Sequence, residues 1–432
     1  MYHTIVSDLS VESHIMNGNF KYALNVVGRR IRFPILVSVV VCGFMAGCET
    51  RSRGEKVHIR FQYEANRYQD AAFRHLAQKF ESRNPEISIK CERVSGRNYQ
   101  RKILMSMAAK VPPDVLMFED EPFRQYAEKG VFTPLSSYIE RDNYDLSDFW
   151  EIGLDNFRYK EKLYGFPKNT VINIVYYNKN LFDRAGLDYP TDDWTWDEFL
   201  ELAKKLTLDV DGDGRIDQVG TTINAWWPMW LTWIWGNGGA ILNEERTKCM
   251  LTTPESREAV QFLVDMRNKW NVTPSPEQLS ANLGNIGQTF AIGNIAMMEG
   301  GPSTAKKYKE EIKTFEWGMV ESPIGKAGRF ARFTNAAFLM SSQTSHPEES
   351  WRFLKFLGSE EAGHVLLTEG GDIIPPRKSV AGSKEFMSKD NPWDAELLLK
   401  TLGRARLQPI TTRHKYIDEM SDRRRTSHDT NS

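Results

Sequence analysis

Five tryptophans crowd ten residues in the middle of the 432-residue chain, immediately before the glycine-rich stretch Gly236–Gly239. Indole rings offer flat faces that pack against the apolar C–H faces of sugar rings, and each indole N–H adds one hydrogen-bond donor. At helical spacing three of the five share one face, so about half of them are expected in a core. The others are candidates for contact with a ligand. The five are Trp226, Trp227, Trp230, Trp233 and Trp235.

Charged and polar side chains follow two of the predicted strands. Tyr63, Glu64 and Arg67 stand at the carboxyl end of the first strand, and Glu119 and Asp120 follow the third. Open α/β sheets bind ligands at this end of their strands. Carboxylates accept hydrogen bonds from pairs of hydroxyls, and guanidinium groups donate them. These residues are therefore candidate ligand contacts, with solvated loop charges as the alternative.

A second chemical signal is an Asp-rich stretch that begins at Asp209. Its carboxylates alternate along the chain, and Gly214 occupies the sixth position, as in the first half of a calcium-binding loop. The twelfth position, where a bidentate Glu belongs, is Gly220. The stretch predicts a structural calcium site that another segment must complete; the alternative is an Asp/Gly turn. The candidate ligands are the carboxylates of Asp209, Asp211, Asp213 and Asp217 and the backbone carbonyl of Arg215.

The elements that would hold these residues can be read from hydrophobic periodicity. Apolar residues alternate from Val57 to Tyr63, which indicates a strand, and recur at helical spacing from Phe73 to Phe80. A second alternating run begins at Ile87, and Asp114–Phe118 is a short apolar strand. Strand–helix–strand order favours a parallel sheet, so the first domain is predicted to be α/β.

Two helix starts in the middle of the chain carry capping signals. Thr195 with Glu198 three residues later is a capping box. Thr253 followed by Pro254 predicts a second start, whose buried face would include Ala259, Val260, Leu263 and Val264. The helix pattern continues near 347–368.

The N-terminal region resembles an export signal. Arg29, Arg30 and Arg32 precede a short apolar run that ends in Met45–Cys48. This ending resembles a bacterial lipoprotein signal, with residues 1–47 removed, Cys48 lipidated and 48–56 as a tether; the alternative is a plain membrane anchor helix. Translation could start at Met1 or Met16. The remaining cysteines, Cys91 and Cys249, are expected to be free thiols.

Composition excludes several classes of function. The formal net charge of −1 shows no basic footprint for nucleic acid. The chain has no nucleophile elbow, HExxH, P-loop or Cys/His cluster. Residues 413–432 are polar without apolar periodicity and predict a disordered tail.

Several blocks of the chain are similar to the maltose-binding-protein-like family of extracellular solute-binding proteins, which serve sugar importers. They include Leu163–Pro167, Tyr176–Phe182 and Thr195–Glu198. Gly293–Pro302 resembles the family's binding-site turn, and two later blocks match at His346–Leu357 and Gly371–Ser379. Their order and spacing carry the resemblance over about 55–400.

The resemblance implies two α/β lobes joined by crossing strands, with the ligand in the cleft between them. Lobe one would comprise 55–166 and 327–372, and lobe two 167–326 and 373–412. It also implies binding residues. Where the family turn often has a tryptophan, this chain has Ser303. The implied cleft residues are Trp227, Trp230, Glu299, Gly301, Ser303, Arg332, Asn335 and Asp372.

The expected function is capture of a mono- or oligosaccharide and its delivery to an ABC importer, by a monomer anchored through Cys48 at the periplasmic or outer cell face. Permease subunits and their ATPase would be partners, no cofactor would be required, and calcium would be structural. Two alternatives stay open. One is a secreted carbohydrate-active enzyme, for example a glycoside hydrolase with paired carboxylates. The other is a lipoprotein whose cleft no longer binds.

Overall fold

The computed structural model describes residues 56–94, 99–223, 226–274, 290–371 and 374–411. The signal region, Cys48, most of the tether, Asp372 and the predicted tail lie outside the described residues. The strands are β1 (Val57–Tyr63), β2 (Ile87–Arg93), β3 (Val115–Glu119), β4 (Arg158–Tyr159), β5 (Lys162–Leu163), β6 (Gly165–Pro167), β7 (Val171–Ile172), β8 (Ile174–Asn178), β9 (Val219–Thr221), β10 (Ile295–Gly300), β11 (Trp317–Val320), β12 (Ala331–Thr334), β13 (Ala336–Met340) and β14 (Ala405–Leu407).

Helices alternate with these strands along the chain. A 3₁₀ helix spans Trp227–Trp230 and a π-helix Leu366–Gly370. The α-helices are α1 (Arg67–Arg83), α2 (Tyr99–Ala108), α3 (Asp120–Glu128), α4 (Ser136–Asp142), α5 (Glu151–Asp155), α6 (Lys179–Ala185), α7 (Trp196–Lys205), α8 (Leu231–Gly236), α9 (Pro254–Asn268), α10 (Ser303–Glu311), α11 (Pro347–Leu357), α12 (Glu360–Val365), α13 (Lys378–Ala381), α14 (Lys384–Met387) and α15 (Ala395–Leu402).

The first lobe is built on a five-stranded sheet in the order β2-β1-β3-β13-β6. β1 pairs with β2 and β3 in parallel, as the strand–helix–strand pattern predicts, whereas β13 joins β3 antiparallel. Apolar residues of α1, including Phe73 and Phe80, pack on this sheet in one core with Trp351 of α11. The apolar residues that alternate in the sequence of β1 therefore lie in the interior of lobe one.

The second lobe is built on a four-stranded sheet in the order β11-β8-β10-β9, beside a three-stranded sheet in the order β14-β12-β7. The capping box predicted at Thr195 and Glu198 is confirmed at the start of α7. Thr253 caps α9 as predicted, with Pro254 at its first position. Val264 of the same helix is 42% exposed, so the prediction that it faces inward is wrong.

The chain crosses between the two lobes where two short segments run side by side. β6 ends at Pro167 in the sheet of lobe one, and β7 begins at Val171 in the three-stranded sheet of lobe two. The backbone N–H of Lys168 donates to Ala336 O at 2.8 Å, and Ala336 N–H donates to Asn169 Oδ1 at 3.0 Å. The return crossing lies between β12 and β13, not at 327 as expected, because Ala331 and Phe333 pack in the core of lobe two.

Two further observations concern the cysteines and the helices. Cys91 is half-buried and Cys249 exposed, and both are free thiols, as expected. Among the described residues, none of the helices is both long and apolar enough to span a bilayer.

Candidate ligand-binding site

The carboxyl ends of β1 and β3 form one side of an open pocket of about 330 Å³ at the edge of lobe one. Asn66 holds this edge in shape, since its Oδ1 accepts hydrogen bonds from the backbone N–H groups of Tyr68 and Gln69 and so caps α1. The crossing segment closes the other side. We call this space the rim pocket; its lining residues are Glu64, Ala65, Asn66, Gln69, Met117, Glu119, Lys168, Asn169 and Ala336.

Two carboxylates and one amine set the charge of the rim pocket. Burial raises the pKa of Glu119, the nearby carboxylate of Glu64 raises it further, and Lys168 opposes both effects. Protein surrounds the Glu119 carboxylate on most sides, yet the side chain remains exposed because water enters through the mouth of the pocket. The rim pocket thus presents hydrogen-bond acceptors and donors that are close together and reachable by a solute.

Behind the rim pocket, polar side chains from both lobes meet in a buried group. Asp120 begins α3, and its Oδ2 accepts a hydrogen bond from Asn156 Nδ2 at 2.6 Å. Asn156 also donates to Asn335 Oδ1 at 2.9 Å, and Asn335 donates to Gly153 O. These contacts tie α3, α5 and the return crossing together on the lobe-one side.

Arg332 of β12 joins this group from the lobe-two side. Its Nη1 donates to Gln408 Oε1 at 3.0 Å, and its guanidinium lies 4.9 Å from the ring centroid of Trp226. Glu299, at the end of β10, accepts a hydrogen bond from Asn173 Nδ2 at 2.9 Å. We call the whole group the interlobe cluster. It consists of Asp120, Asn156, Asn173, Trp226, Glu299, Arg332, Asn335 and Gln408.

Burial dominates the ionisation of the interlobe cluster. It raises the pKa of Asp120 to about 7, although Asn156 and the charge of Arg332 oppose the rise. It raises the pKa of Glu299 to about 7 in the same way, against Asn173 and Arg332. Burial lowers the pKa of Arg332, while Asp120, Glu121 and Glu299 raise it. One cation is therefore shared by carboxyls on both lobes, which makes the cluster an electrostatic link across the cleft.

The structure brings together many of the residues singled out from the sequence. Glu64 and Glu119 line the rim pocket, and Asp120, Glu299, Arg332 and Asn335 belong to the interlobe cluster. Gly301 and Ser303 lie just beyond Glu299, where Tyr176 Oη donates to Gly301 O at 2.9 Å and Ser303 is exposed at the start of α10. Trp230 and Glu299 border one small cavity.

Three predicted contacts lie elsewhere. Tyr63 is fully buried in the core of lobe one, where its hydroxyl donates to Asp70 Oδ1 at 2.7 Å, so it does not face the cleft. Trp227 packs in the core of lobe two with Leu231 and Trp235. Arg67 is exposed, with its guanidinium 4.6 Å from the ring centroid of Tyr68, outside both the rim pocket and the interlobe cluster.

Sequence reasoning missed several members of the site. These include Lys168, Asn169 and Asn173, which together with Thr170 interrupt an otherwise apolar stretch from Leu163 to Tyr177. Polar residues between short apolar runs are a signal of such a site, because buried polar groups need partners. The tryptophan group does not by itself mark Trp226 as the partner of Arg332. Nothing in the local sequence marks Asn156 or Gln408, because their partners are far away along the chain.

Three carboxylates of the Asp-rich loop lie close together. Ligand oxygens of Asp209, Asp211 and Asp217 lie within 4.8 Å of one another, a donor set that suits a hard cation such as calcium. Asp213 is outside this group and accepts a hydrogen bond from Arg215 N–H at 2.8 Å. Gly220 cannot be replaced by the missing Glu, because a Cβ there would lie 2.0 Å from Ala203 O.

Comparisons with known proteins agree with this architecture. The family model for bacterial extracellular solute-binding proteins matches residues 64–364. A multiple sugar-binding protein of Streptococcus mutans is 22% identical over 344 residues, 76% of this chain and 77% of that protein. The arabinooligosaccharide-binding protein of Bacillus subtilis is 23% identical over 371 residues, covering 83% of this chain and 82% of the relative.

Solved structures show the same fold. An ABC substrate-binding protein from Listeria monocytogenes, in complex with cycloalternan, superposes with a TM-score of 0.74 at 27% identity, over 84% of this chain and 91% of that one. A maltose-bound protein of T. maritima has a TM-score of 0.68 at 22% identity, over 85% and 92% of the two chains. The family resemblance and the two-lobed α/β fold are thereby confirmed, and the chain belongs to the bacterial extracellular solute-binding protein family.

Proposed function

We propose that this protein is an exported receptor that captures a carbohydrate between its lobes and delivers it to an ABC importer. The observation that carries the proposal is the rim pocket, continuous in sequence with the interlobe cluster through Glu119 and Asp120. Lobe one and the crossing segment supply the acceptors and donors of this pocket, and the interlobe cluster next to it draws side chains from both lobes, as capture by lobe closure requires. The names of the relatives, which bind multiple sugars or arabino-oligosaccharides, support a carbohydrate ligand.

The lining of the rim pocket suits a neutral polyhydroxyl ligand. The carboxylates of Glu64 and Glu119 can each accept hydrogen bonds from hydroxyls, and Lys168 and Asn169 can donate. Its volume of about 330 Å³ is at the lower end of ligand pockets, which favours one or two sugar rings. The exposed Ser303, in place of an aromatic platform, is consistent with a short ligand.

Closure of the lobes would be favoured by groups that act on both sides of the cleft. Arg332 interacts electrostatically with Asp120 and Glu121 of lobe one and with Glu299 of lobe two. A ligand in the rim pocket reaches the crossing segment through Lys168 and Asn169. Binding there stabilises the arrangement in which the interlobe cluster is assembled, since a ligand favours the state that it contacts best.

The family consists of binding proteins, and we extend this to binding without catalysis for this chain. A glycoside hydrolase needs two carboxyls placed on either side of one glycosidic bond. Here Asp120 and Glu299, the two carboxyls whose pKa values rise to about 7, are engaged by Asn156 and Asn173. These hydrogen bonds favour a role for both carboxyls in stabilising the structure and not in catalysis.

We further propose that the mature receptor is a monomer held at the membrane by lipid on Cys48. The export pattern before that residue and the extracytoplasmic family support this placement. Calcium would stabilise the Asp209–Asp217 loop without taking part in ligand binding. Globomycin treatment of expressing cells, which blocks lipoprotein signal cleavage, should retain residues 1–47; normal processing in its presence would contradict lipidation.

The decisive test is a thermal-shift and calorimetry screen of the chain from Glu49 onward against mono- and oligosaccharides. A ligand that binds only the folded state raises the melting temperature by mass action. We expect a saturable shift with one sugar class. At a fixed sugar concentration the shift should be reduced in Glu119→Gln and retained in Glu348→Gln, a matched change at an exposed carboxylate of lobe one. No shift with any sugar would contradict the carbohydrate proposal, and product formation from a glycan would contradict binding without catalysis.

A further inference from the structure

A second concave site lies in lobe two, at the end of its sheet that points away from the cleft. β8 begins beside Gly300, next to the interlobe cluster, and ends at Asn178 beside Trp317. A pocket of about 630 Å³ opens at this far end. We call it the outer pocket. Its walls are Tyr177 and Lys179, residues 317–319 of β11, and residues 387–389 and 392–396 around α14 and α15.

Two indole rings are held in fixed positions in the wall of the outer pocket. The Trp317 ring packs against Tyr176 and Tyr308, with centroid distances of 5.7 Å and 6.0 Å. The Trp393 ring stacks on Phe386, and its indole N–H donates to Phe386 O at 3.2 Å. Both tryptophans stay partly exposed. Rigid aromatic surfaces of this kind cost little entropy when a ligand packs on them.

The outer pocket is also flat on its sheet side. A Cβ at Gly318 would lie 2.4 Å from the Tyr177 ring, so only glycine lets this phenol lie across the edge strand. The Tyr177 ring and Trp317 lie in the same wall of the outer pocket. Aromatic side chains thus come from both the sheet and the C-terminal helices.

The charges in this wall cancel. Lys179 and Lys389 contribute two positive charges, and Asp394 and Glu396 contribute two negative ones. Three of the four, Lys389, Asp394 and Glu396, are exposed, and Ser388 adds a hydroxyl. A wall with no net charge offers little to a phosphate, a polycation or an acidic peptide, whereas its mixed donors and acceptors match a neutral ligand with many hydroxyls.

We propose that the outer pocket is a second carbohydrate-binding site, in which a neutral sugar ring packs against the indoles of Trp317 and Trp393 and its hydroxyls meet Ser388, Lys389 and Glu396. An added peptide strand fits less well, because the edge strand β11 has only four residues and short edges resist strand pairing. Because lobe two alone forms the pocket, it binds sugar whether or not the cleft is closed.

The experiment uses the full-length protein labelled with 5-fluorotryptophan and observed by ¹⁹F NMR, with the two resonances assigned through Trp317→Phe and Trp393→Phe. The probes are maltotriose, mannobiose and cellobiose, each titrated into the millimolar range. The same titrations are made in a variant disabled at the cleft, Glu119→Gln with Arg332→Lys. We expect saturable shifts of both resonances in both proteins, and an affinity at least about fivefold lower when Ser388 and Glu396 are both replaced by alanine.

Each other outcome overturns the proposal. Absence of a saturable shift with all three sugars excludes a carbohydrate site. Shifts that vanish in the cleft variant would be secondary effects of closure. Cleft binding by calorimetry should be unchanged in the Ser388/Glu396 variant, so failure of the outer pocket is distinguishable from failure of the cleft function.

Discussion

The rim pocket and the interlobe cluster use the same kinds of side chain in different surroundings. Each contains two carboxylates, amide groups and one cation, and they are joined by the neighbouring residues Glu119 and Asp120. Glu119 stays exposed at the mouth of its pocket, whereas Asp120 is 3% exposed and accepts a hydrogen bond from Asn156. One peptide bond thus separates a group that a solute can reach from a group that is sealed between the lobes.

This difference assigns different tasks to the two regions. A polar group that water can reach exchanges solvent for ligand at little net cost, and so it suits recognition. A buried charge must keep its partners, because the loss of one leaves the other unpaired in a medium of low polarity. We therefore expect changes in the rim pocket to alter affinity, and changes in the interlobe cluster to alter stability.

The largest effect is expected for Arg332→Ala. Removing the cation leaves the buried Asp120 and the half-buried Glu299 without the positive charge that acts on both, which should lower the free energy of unfolding by about 3 kcal/mol at pH 8. At pH 5 the loss should be smaller, because both carboxyls take up protons. Urea unfolding at the two pH values measures it. Arg406 is the register partner of Arg332 on β14 but is exposed over Phe330, so Arg406→Ala should cost less than about 1 kcal/mol. Equal losses of unfolding free energy in Arg332→Ala and Arg406→Ala would contradict the stabilising role of the interlobe cluster.

The second prediction concerns pH. The pKa values of Asp120 and Glu299 are near 7 in the folded protein, against about 4 for unfolded chains. The folded state therefore binds more protons between these values, and its stability falls as pH rises from about 4 to 7. Asp120→Asn should remove up to about 3 kcal/mol of the loss between pH 5 and pH 8. We would measure the unfolding free energies of the variant and the wild type across this pH range. If the difference between them does not change with pH, Asp120 has an ordinary pKa and the prediction is wrong.

The third prediction separates recognition from stability in the rim pocket. Glu119→Gln should weaken binding of the sugar found in the screen by roughly tenfold, since a hydrogen bond to a charged group contributes about 1.5–3 kcal/mol. Its unfolding free energy should rise slightly or stay the same, because burial and Glu64 already disfavour the Glu119 charge. Calorimetry and urea unfolding on one preparation decide this. A large loss of stability with unchanged affinity would contradict this prediction, because it would show that Glu119 stabilises the fold and does not contact the sugar.

The smallest effect is expected at the Asp-rich loop, which lies apart from both regions. If calcium binds there, millimolar calcium should add about 1 kcal/mol to the unfolding free energy and leave sugar affinity unchanged. Asp209→Asn should abolish this gain, whereas Asp213→Asn should reduce it less, because Asp213 is outside the group of three close carboxylates. No calorimetric heat with calcium would contradict the site.

Local patterns predicted much of lobe one and several helix starts. The alternation in β1, the helical spacing in α1 and the capping box at Thr195 are short-range properties, and all appear in the structure. The tryptophan group shows where such patterns stop being informative. Its residues were expected to share faces of one helix, but the chain folds as a 3₁₀ turn followed by α8, which buries Trp227 and leaves Trp226 beneath Arg332.

The sequence by itself determined the α/β class, the family and the end of each strand at which polar residues gather, because these depend on periodicity and on neighbours along the chain. Only the tertiary structure decided which polar residues meet. Asn156, Arg332 and Gln408 come from distant segments, and Tyr63 turned inward because its ring completes an aromatic core with Phe61 and Phe73. Such pairings arise from packing between elements, and no local pattern encodes them.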